Sequence, residues 1–454
     1  MLTLEQICDA AGGTLLSGRP DQSITSFHFD TRQLTRDSLF VALTSGERDG
    51  HQFLQEAKIQ GAIAALISNP DYQTEEIELA YILVDNTEKA FAKIAHYYRN
   101  QLHIPVIAVT GSNGKTTTKD MIAHVLGSKK NVFKTYKNYN NHLGVPLSIL
   151  QINQDHELAV IEMGMNHPGE IDFLASIGKP DISVITNVTD AHIEYLGSRE
   201  NIAKAKGELL PHTSSNGFAI LNGDNPYVHS VSHLNPGQTY FYRLNEEADI
   251  YATDIATTDA GTSFTVNIGE ESFTCSIPMF GLHNVSNLLP AIFIANHFGY
   301  NHKEITQALT NLSISPMRFE LVQHNGDAVI INDAYNASPT SMKSSIQTFA
   351  EILSSYKRIL VLGDMFELGE RSIAFHQEVG SYINQLAERF EWLVTVGENS
   401  QYISSEAHIP SRHFTSKSDA TNFLANYMDG GHAFLFKGSR GMKLEELVNH
   451  LLNR

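Results

Sequence analysis

Along most of this chain, unbroken apolar runs alternate with stretches of helical period. "VIAVT" (106–110), "LAVIEM" (158–163), "ISVITNV" (182–188) and "FAILN" (218–222) are such runs, and helical stretches separate them. A strand with one wet face alternates apolar and polar residues. A run without polar interruption means burial on both faces, hence a parallel α/β sheet. Near "TSFTVNIGEESFTCSIP" (262–278) the period shifts to two, which predicts an appended antiparallel hairpin. "NVSNLLPAIFIANHFG" (284–299) reads as a helix closing this region.

On either side the pattern differs. Residues 1–84 mix short strand-like runs, "SLFVAL" (38–43) and "IAALIS" (63–68), with turn residues. "NTEKAFAKIAHYYRNQL" (86–102) reads as an amphipathic helix with Asn86 as N-cap, leading into the next unit. After "SPMRFE" (315–320), the runs "AVIIND", "RILVLGD", "WLVTVGE" and "AFLFKGS" again alternate with helices, as in a second doubly wound sheet. The expected division is three α/β domains, 1–84, 85–314 and 315–454. A length of 454 residues agrees, at one domain per ~150 residues.

Charge narrows the partners. The net charge of −18 disfavours a nucleic-acid backbone or an anionic membrane surface. An anionic substrate must then be met by local positive groups and backbone N–H. No apolar run approaches the ~18 residues of a membrane span. "MLTLEQICDAAGG" lacks the basic start of a signal peptide. Cys8 and Cys275 are the only cysteines, which fits a reducing cytoplasm and excludes a CxxC metal site.

The sharpest chemistry lies in "AVTGSNGKTTTKDMIAHVL" (108–126), a buried strand, a glycine turn and a helix. Gly111 and Gly114 let the backbone close around phosphate oxygens, helped by the N–H groups of Ser112, Asn113 and Thr117 and by the helix N-terminus. Lys115 can reach β- and γ-phosphates, and the Thr116 hydroxyl can ligate Mg²⁺. The full P-loop pattern wants a glycine where Val109 stands, so the loop is a shortened version. An ordinary glycine turn is the competing reading.

Glu162 and His192 lie at or past the ends of predicted strands, as Thr116 does. In an open parallel sheet these ends converge on one crevice, where a carboxylate, an imidazole and a hydroxyl can hold Mg²⁺ beside a triphosphate. Taken singly, Glu162 could be a solvated acid and His192 a hydrogen-bonded loop residue. "AKAKGELL" (203–210) opens or lies within a helix. Two lysines in a first turn would oppose the helix dipole, and a solvated surface is the plain reading. A lysine binds metal only after losing its charge, for example as a carbamate. In "KNYNNHLGVPLSIL" the amides and His142 either cap turns or contact a polar ligand. Asp333 ends another strand, where a ribose could bind. Arg318 is a candidate phosphate ligand or a plain surface arginine.

Together "TGSNGKTT", "NYNNHLGVP", "EMGMNHPGEI", "TNVTDAHIEYLGS", "AKAKGELL", "GLHNVSN", "PMRFE", "DAYNASPTSM", "LGDMFELG" and "KGSRGMKLE" resemble, in order and nearly chain-wide, the Mur ligases of bacterial peptidoglycan synthesis. "EMGMNHPGEI", "DAYNASPTSM" and "LGDMFELG" resemble the members that add D-alanyl-D-alanine to UDP-N-acetylmuramoyl-tripeptide. "FDTRQLTRDSLFVALTSGERDGHQF" (29–53) resembles the family's UDP-binding domain, with Asp30-Thr31-Arg32 where many relatives have Asp-Ser-Arg. The resemblance implies a small α/β UDP-binding domain, a central parallel-sheet P-loop ATPase domain with appended antiparallel strands, and a Rossmann-like C-terminal domain that closes over ATP. It implies that Gly111 to Thr117 hold ATP and that Thr116 and Glu162 bind one Mg²⁺. His192 would share a second Mg²⁺ with a carbamylated lysine, Lys206 rather than Lys204. His283 and Asn287 would lie near the nucleotide, Arg318 near the phosphates, and Asp333 near the ribose or the incoming amine. Thr31, Arg32, Asn140, Asn141 and His142 would face the UDP-sugar substrate. A cytoplasmic monomer is expected, with a hinge near residues 315–318.

Three rivals remain at this stage. One is another ligase of the superfamily, such as a folylpolyglutamate synthase or a Mur ligase for a different amino acid. Another is a P-loop phosphotransferase, which would not need a whole third domain. The third is a nucleotide-regulated binding protein.

Overall fold

The computed structural model describes residues 1–46, 48–74, 76–323, 328–428 and 430–453. Three sheets carry the chain, of five, nine and six strands. Two further two-stranded ribbons complete the strands among the described residues.

The nine-stranded sheet holds the four apolar runs. Its parallel part runs Val132–Lys134, Leu158–Glu162, Val106–Thr110, Ile182–Ile185, Phe218–Asn222, Gln238–Leu244. The run at 182–188 is shorter as a strand than its hydrophobicity suggests: past Ile185 the Thr186 N–H still reaches the Thr110 carbonyl (3.0 Å), and the side chains of Thr186 and Asn187 hold the glycine loop. Burial on both faces explains the unbroken runs. Val106 and Ala108 join one apolar cluster, while Ile107 and Val109 join another with Met121, Ile122 and Val125. The period-two segment folds as the antiparallel strands Gly261–Ile268 and Glu271–Ile277, preceded by Ile250–Thr258. The helix Leu282–His297 packs against the helix that follows the glycine loop.

Strand order makes Val106–Thr110 the switch point. The chain leaves it toward Val132–Lys134 and Leu158–Glu162 on one side, then crosses to Ile182–Ile185 on the other. In open parallel sheets ligands bind outside the carboxyl ends of strands at such a point.

The C-terminal sheet runs Glu320–Gln323, Val329–Asp333, His432–Lys437, Lys357–Gly363, Trp392–Val396, Ser411–Phe414. Its first strand is antiparallel, and neither this strand nor Ser411–Phe414 stands out as an apolar run. The helix Pro339–Glu351 starts where "SPTSM" suggests, with Ser338 in a capping box and proline in the first turn. The N-terminal sheet has four parallel-paired strands and an antiparallel edge, Thr14–Ser17. The helix Thr87–Arg99, capped by Asn86, ties it to the centre: Arg99 donates to the carbonyls of Gly178 (2.8 Å) and Lys179 (2.9 Å). Among the described residues no helix is long and apolar enough to cross a membrane.

Candidate active site

The central and C-terminal sheets turn their strand ends toward one cleft of about 1270 Å³. On its floor lies the glycine loop. Gly111 has φ +149°, and a Cβ there would stand 1.9 Å from Thr186 Oγ1. Gly114 has φ +81°, and its Cβ would stand 2.3 Å from Asn287 Oδ1. Both glycines are therefore required by close approach as well as by backbone angle. The loop is pinned from the next strand: Ser112 N–H donates to the Asn187 carbonyl (2.8 Å) and Asn113 N–H to Asn187 Oδ1 (2.9 Å). The first ladder bond of the helix Lys115–Gly127 is Thr118 N–H to Gly114 O, 2.8 Å. The N–H groups of Lys115, Thr116 and Thr117 precede that bond, and these residues line the cleft, while the N–H groups of Ser112 and Asn113, expected to meet phosphate, are taken by Asn187.

Lys115 curls back on this loop. Its Nζ donates to the carbonyls of Gly111 (2.7 Å) and Ser112 (3.2 Å). Burial lowers its pKa. Thr116 Oγ1 sits between two partners: it donates to Glu162 Oε1 (3.2 Å) and accepts from Arg318 Nη2 (3.1 Å). Asn140 Nδ2 donates to the same Glu162 oxygen at 2.8 Å. Glu162 Oε2 is buried, lies 3.5 Å from Lys119 Nζ and receives no hydrogen bond. Oε1, beside the Thr116 hydroxyl, is the oxygen that a divalent cation between the two side chains would use.

His192 stands in the left-handed region (φ 62°), with its Nδ1 2.6 Å from Glu367 Oε2. The imidazole, set against the carboxylate, holds the Glu367 carboxyl below its usual range. Lys206 is 1% exposed, and among the described residues no carboxylate pairs with it. Burial, with Lys115 as a like charge, drives its pKa well below the usual lysine value. Ser198 caps the helix Arg199–Gly207, so Lys204 and Lys206 fall in its last turn, not its first. The dipole objection raised by the sequence is thereby removed. Among the described residues no three His, Cys, Asp or Glu converge as a metal site. Any cation here would rest on a mixed set of hydroxyl, carboxylate, imidazole and modified amine.

The other candidates divide. His283 Nδ1 is 3.3 Å from Ser344 Oγ, and burial pushes its pKa down to about 4. Asn287 packs on Gly114. Arg318 stacks its guanidinium 3.8 Å from the Tyr335 ring centre, and its Nε is buried without a partner. Both oxygens of Asp333 are engaged: it accepts from Phe319 N–H (3.1 Å), Ser345 Oγ (2.6 Å) and Lys437 Nζ (2.7 Å). Asn141 caps the following turn through Gly144 N–H (2.9 Å), and His142 lies 3.7 Å from Glu88. Both line the cleft with Asn140. Thr31 and Arg32 do not. Thr31 donates to Glu56 (2.9 Å), and Arg32 grips Asp30 with Nε (2.9 Å) and Nη2 (2.7 Å).

Sequence reasoning missed Glu367, Lys119 and Asp120. Glu367 follows a strand end, the same signal that marks Glu162. Lys119 and Asp120 are a charged pair inside a helix whose neighbours are apolar, a pattern that asks for buried partners.

A family model described as the Mur ligase middle domain matches residues 109–295, and one described as Mur ligase, glutamate ligase domain, matches residues 317–440. The UDP-N-acetylmuramoyl-tripeptide–D-alanyl-D-alanine ligase of Bacillus subtilis (strain 168) is 39% identical over 457 residues, covering 99% of this chain and 98% of that protein. A crystal structure of MurF from Acinetobacter baumannii superposes with a TM-score of 0.90 at 29% identity, over 100% and 99% of the two chains. MurF ligase of Thermotoga maritima, solved in complex with ADP, gives 0.84 at 28% identity over 94% and 97%.

Proposed function

The chain belongs to the Mur ligase family, and on that premise we propose that it joins D-alanyl-D-alanine to the terminal carboxylate of UDP-N-acetylmuramoyl-tripeptide, driven by ATP. Likeness over the whole chain to ligases of that activity is the observation that carries this reading. ATP binding goes with the family. We place the reaction in the cytoplasm, on a single chain, with residues 1–84 for the UDP-substrate, 85–314 for ATP and 315–454 closing over them.

A carboxylate and an amine do not condense in water, because the carboxylate has no adequate leaving group. Here the tripeptide carboxylate attacks the γ-phosphorus in line, and ADP leaves. An acyl phosphate results. The free amine of D-alanyl-D-alanine adds to its carbonyl, the tetrahedral intermediate collapses, phosphate departs and the nitrogen loses its proton.

Two anions meet in the first step, so positive groups must offset their repulsion. Lys115 would exchange its two loop carbonyls for phosphate oxygens, and the N–H groups at the start of the helix Lys115–Gly127 would cradle them. Arg318, held over Tyr335 with an unpartnered Nε, would take charge spreading on the γ-phosphate. Thr116 and Glu162 would hold one Mg²⁺, and His192 with carbamylated Lys206 a second; bound there, the ions would screen the phosphates and orient them. Burial fits Lys206 to carbamylation, because the neutral amine is the form that adds CO₂. Asn140, Asn141 and His142 would steer the tripeptide end toward the γ-phosphate. His283 and Asn287 would flank the nucleotide. Thr31 and Arg32 would meet the UDP end at the outer part of the substrate path. Contacts from the third domain exclude water that would destroy the acyl phosphate.

The test is phosphate release from ATP with both substrates and with each omitted. Release that needs both, with a product heavier by the dipeptide minus water, is expected. Release indifferent to the dipeptide would overturn the amine assignment. For Lys206→Ala, loss of turnover is expected, with partial rescue of a short-side-chain variant by bicarbonate; wild-type turnover would sink the assigned role.

A further inference from the structure

Two fully buried charges in the helix Lys115–Gly127 have no role in the scheme above. The side chains of Lys119 and Asp120 are each 1% exposed. Burying charge is costly, and apolar side chains would pack this position at no such cost. Their partners lie in two different places. Lys119 Nζ stands 3.5 Å from Glu162 Oε2 and 3.6 Å from Asp120 Oδ1. Asp120 Oδ1 also accepts from Lys134 Nζ at 2.8 Å. Its other oxygen, Oδ2, accepts from both the N–H (2.9 Å) and the hydroxyl (2.6 Å) of Ser315. Burial works against the Asp120 charge, but Lys119, Lys134 and Ser315 outweigh it and hold the carboxyl below its usual range.

Ser315 is where the chain passes to the C-terminal sheet. Three residues on, Arg318 returns to the site and donates to Thr116, which donates to Glu162. Positive φ values at Met317 (60°) and Phe319 (56°) fix the turn that aims it. These contacts and the three-residue step of chain from Ser315 to Arg318 close a ring: Thr116, Glu162, Lys119, Asp120, Ser315, Arg318. One arm of the ring is the γ-phosphate end of the site. The other is the connection between domains.

We propose that Lys119 and Asp120 are positioning residues that couple the interdomain connection to Glu162, so that Glu162 and Arg318 are aimed together only while Ser315 is seated on Asp120. The coupling rests on the ligase reading for its role in turnover, but not for its mechanics. Seating of Ser315 sets where the third domain stands. Lys119, shared by two carboxylates, carries that state to Glu162 Oε2.

Asp120→Asn keeps the shape and removes the charge that Ser315 and Lys119 share. It should lower kcat about 100-fold, the cost of ~1 Å misplacement at a reacting centre, and leave the KM for ATP unchanged. Small-angle scattering of the ligand-free full chain should show a larger radius of gyration, because the third domain is no longer held. Ser315→Ala, which keeps the Asp120 charge with its bonds to the Ser315 N–H and to Lys134, should lower kcat roughly tenfold, as loss of one charge-assisted hydrogen bond predicts. It should shift scattering the same way, and it decides the matter if Asp120→Asn does not fold. Asp120→Glu should recover part of both effects. Wild-type kcat in Ser315→Ala, or a loss of kcat with unchanged scattering in both variants, would overturn the coupling. If the wild type releases no phosphate with the two substrates, the ligase reading falls, and the scattering comparison still decides the hinge.

Discussion

Glu162 and Asp333 look alike in sequence and differ in the fold. Each is the last residue of a buried parallel strand, one in the central sheet and one in the C-terminal sheet. Each has a buried lysine beside it, Lys119 or Lys437. Glu162 nevertheless keeps an oxygen without a hydrogen bond, while both oxygens of Asp333 are taken by Phe319, Ser345 and Lys437. The lysine distances tell the same story, 3.5 Å against 2.7 Å. A carboxylate with both oxygens held by structural donors is a joint, and one with an oxygen that no donor holds is a site. Asp333 joins the connection at Phe319 to the helix Pro339–Glu351 and the strand His432–Lys437. Glu162 has a lone pair to offer.

The largest effect that separates them should be on turnover. Glu162→Gln keeps the shape and an Oε1 acceptor for Thr116 and Asn140, and removes the charge that faces Lys119. Turnover should fall by about 100- to 1000-fold, the range for loss of one preorganised charge-stabilising group, while the melting temperature falls less than in Asp333→Asn, because Lys119 keeps Asp120 at 3.6 Å. A comparable fall in melting temperature would make Glu162 a joint as well.

Asp333→Asn should do the reverse. It leaves Lys437 buried and short of its carboxylate, though Lys437 still donates to the Asn336 carbonyl at 3.1 Å. Breaking a buried pair from one side costs about 3–5 kcal/mol, and the retained bond puts this case at the lower end. Urea unfolding at neutral pH reads it. Unchanged stability with lost activity would return Asp333 to the ribose or amine role that its strand-end position suggests.

This contrast marks how much was legible beforehand. The strands at 106–110, 158–162 and 218–222 were readable because burial on both faces leaves an unbroken apolar run. The glycine loop was readable because Gly111 and Gly114 serve a local turn. Partnership was not readable. Nothing in the chain's order says that Ser345 and Lys437 will meet Asp333, that Asp120 will hold Ser315, or that Glu367 will reach His192, since each pair spans a crossover of the fold. The edge strand Glu320–Gln323 and the strand Ser411–Phe414 were missed for a related reason. Edge strands are half exposed and carry a weak apolar signal. The last-turn placement of Lys206 turned on one cap, Ser198, whose signal is short and easily passed over.

The smallest effect sharpens the comparison on the Asp333 side, at His283. The ring is partly buried against Phe319, near Asp333 and Lys437. Burial lowers its pKa from 6.5 to about 4, with Lys437 adding to the lowering and Asp333 opposing it. Between those two values the unfolded chain takes a proton that the folded chain refuses. Protonation then favours the unfolded state, so stability present above pH 6.5 is lost as pH falls toward about 4. His283→Gln should therefore lose less stability than the wild type between pH 7 and pH 5, read as a smaller drop in the urea midpoint. Asp333→Asn should push the ring lower still, because the carboxylate that favours the imidazolium is gone while Lys437 remains. Its acid loss should extend below the wild-type window once its baseline at pH 7 is subtracted. Equal acid losses in the wild type and His283→Gln would mean that the ring is hydrated in the folded state. The surroundings of Asp333 would then admit water, and the division between joint and site would fail.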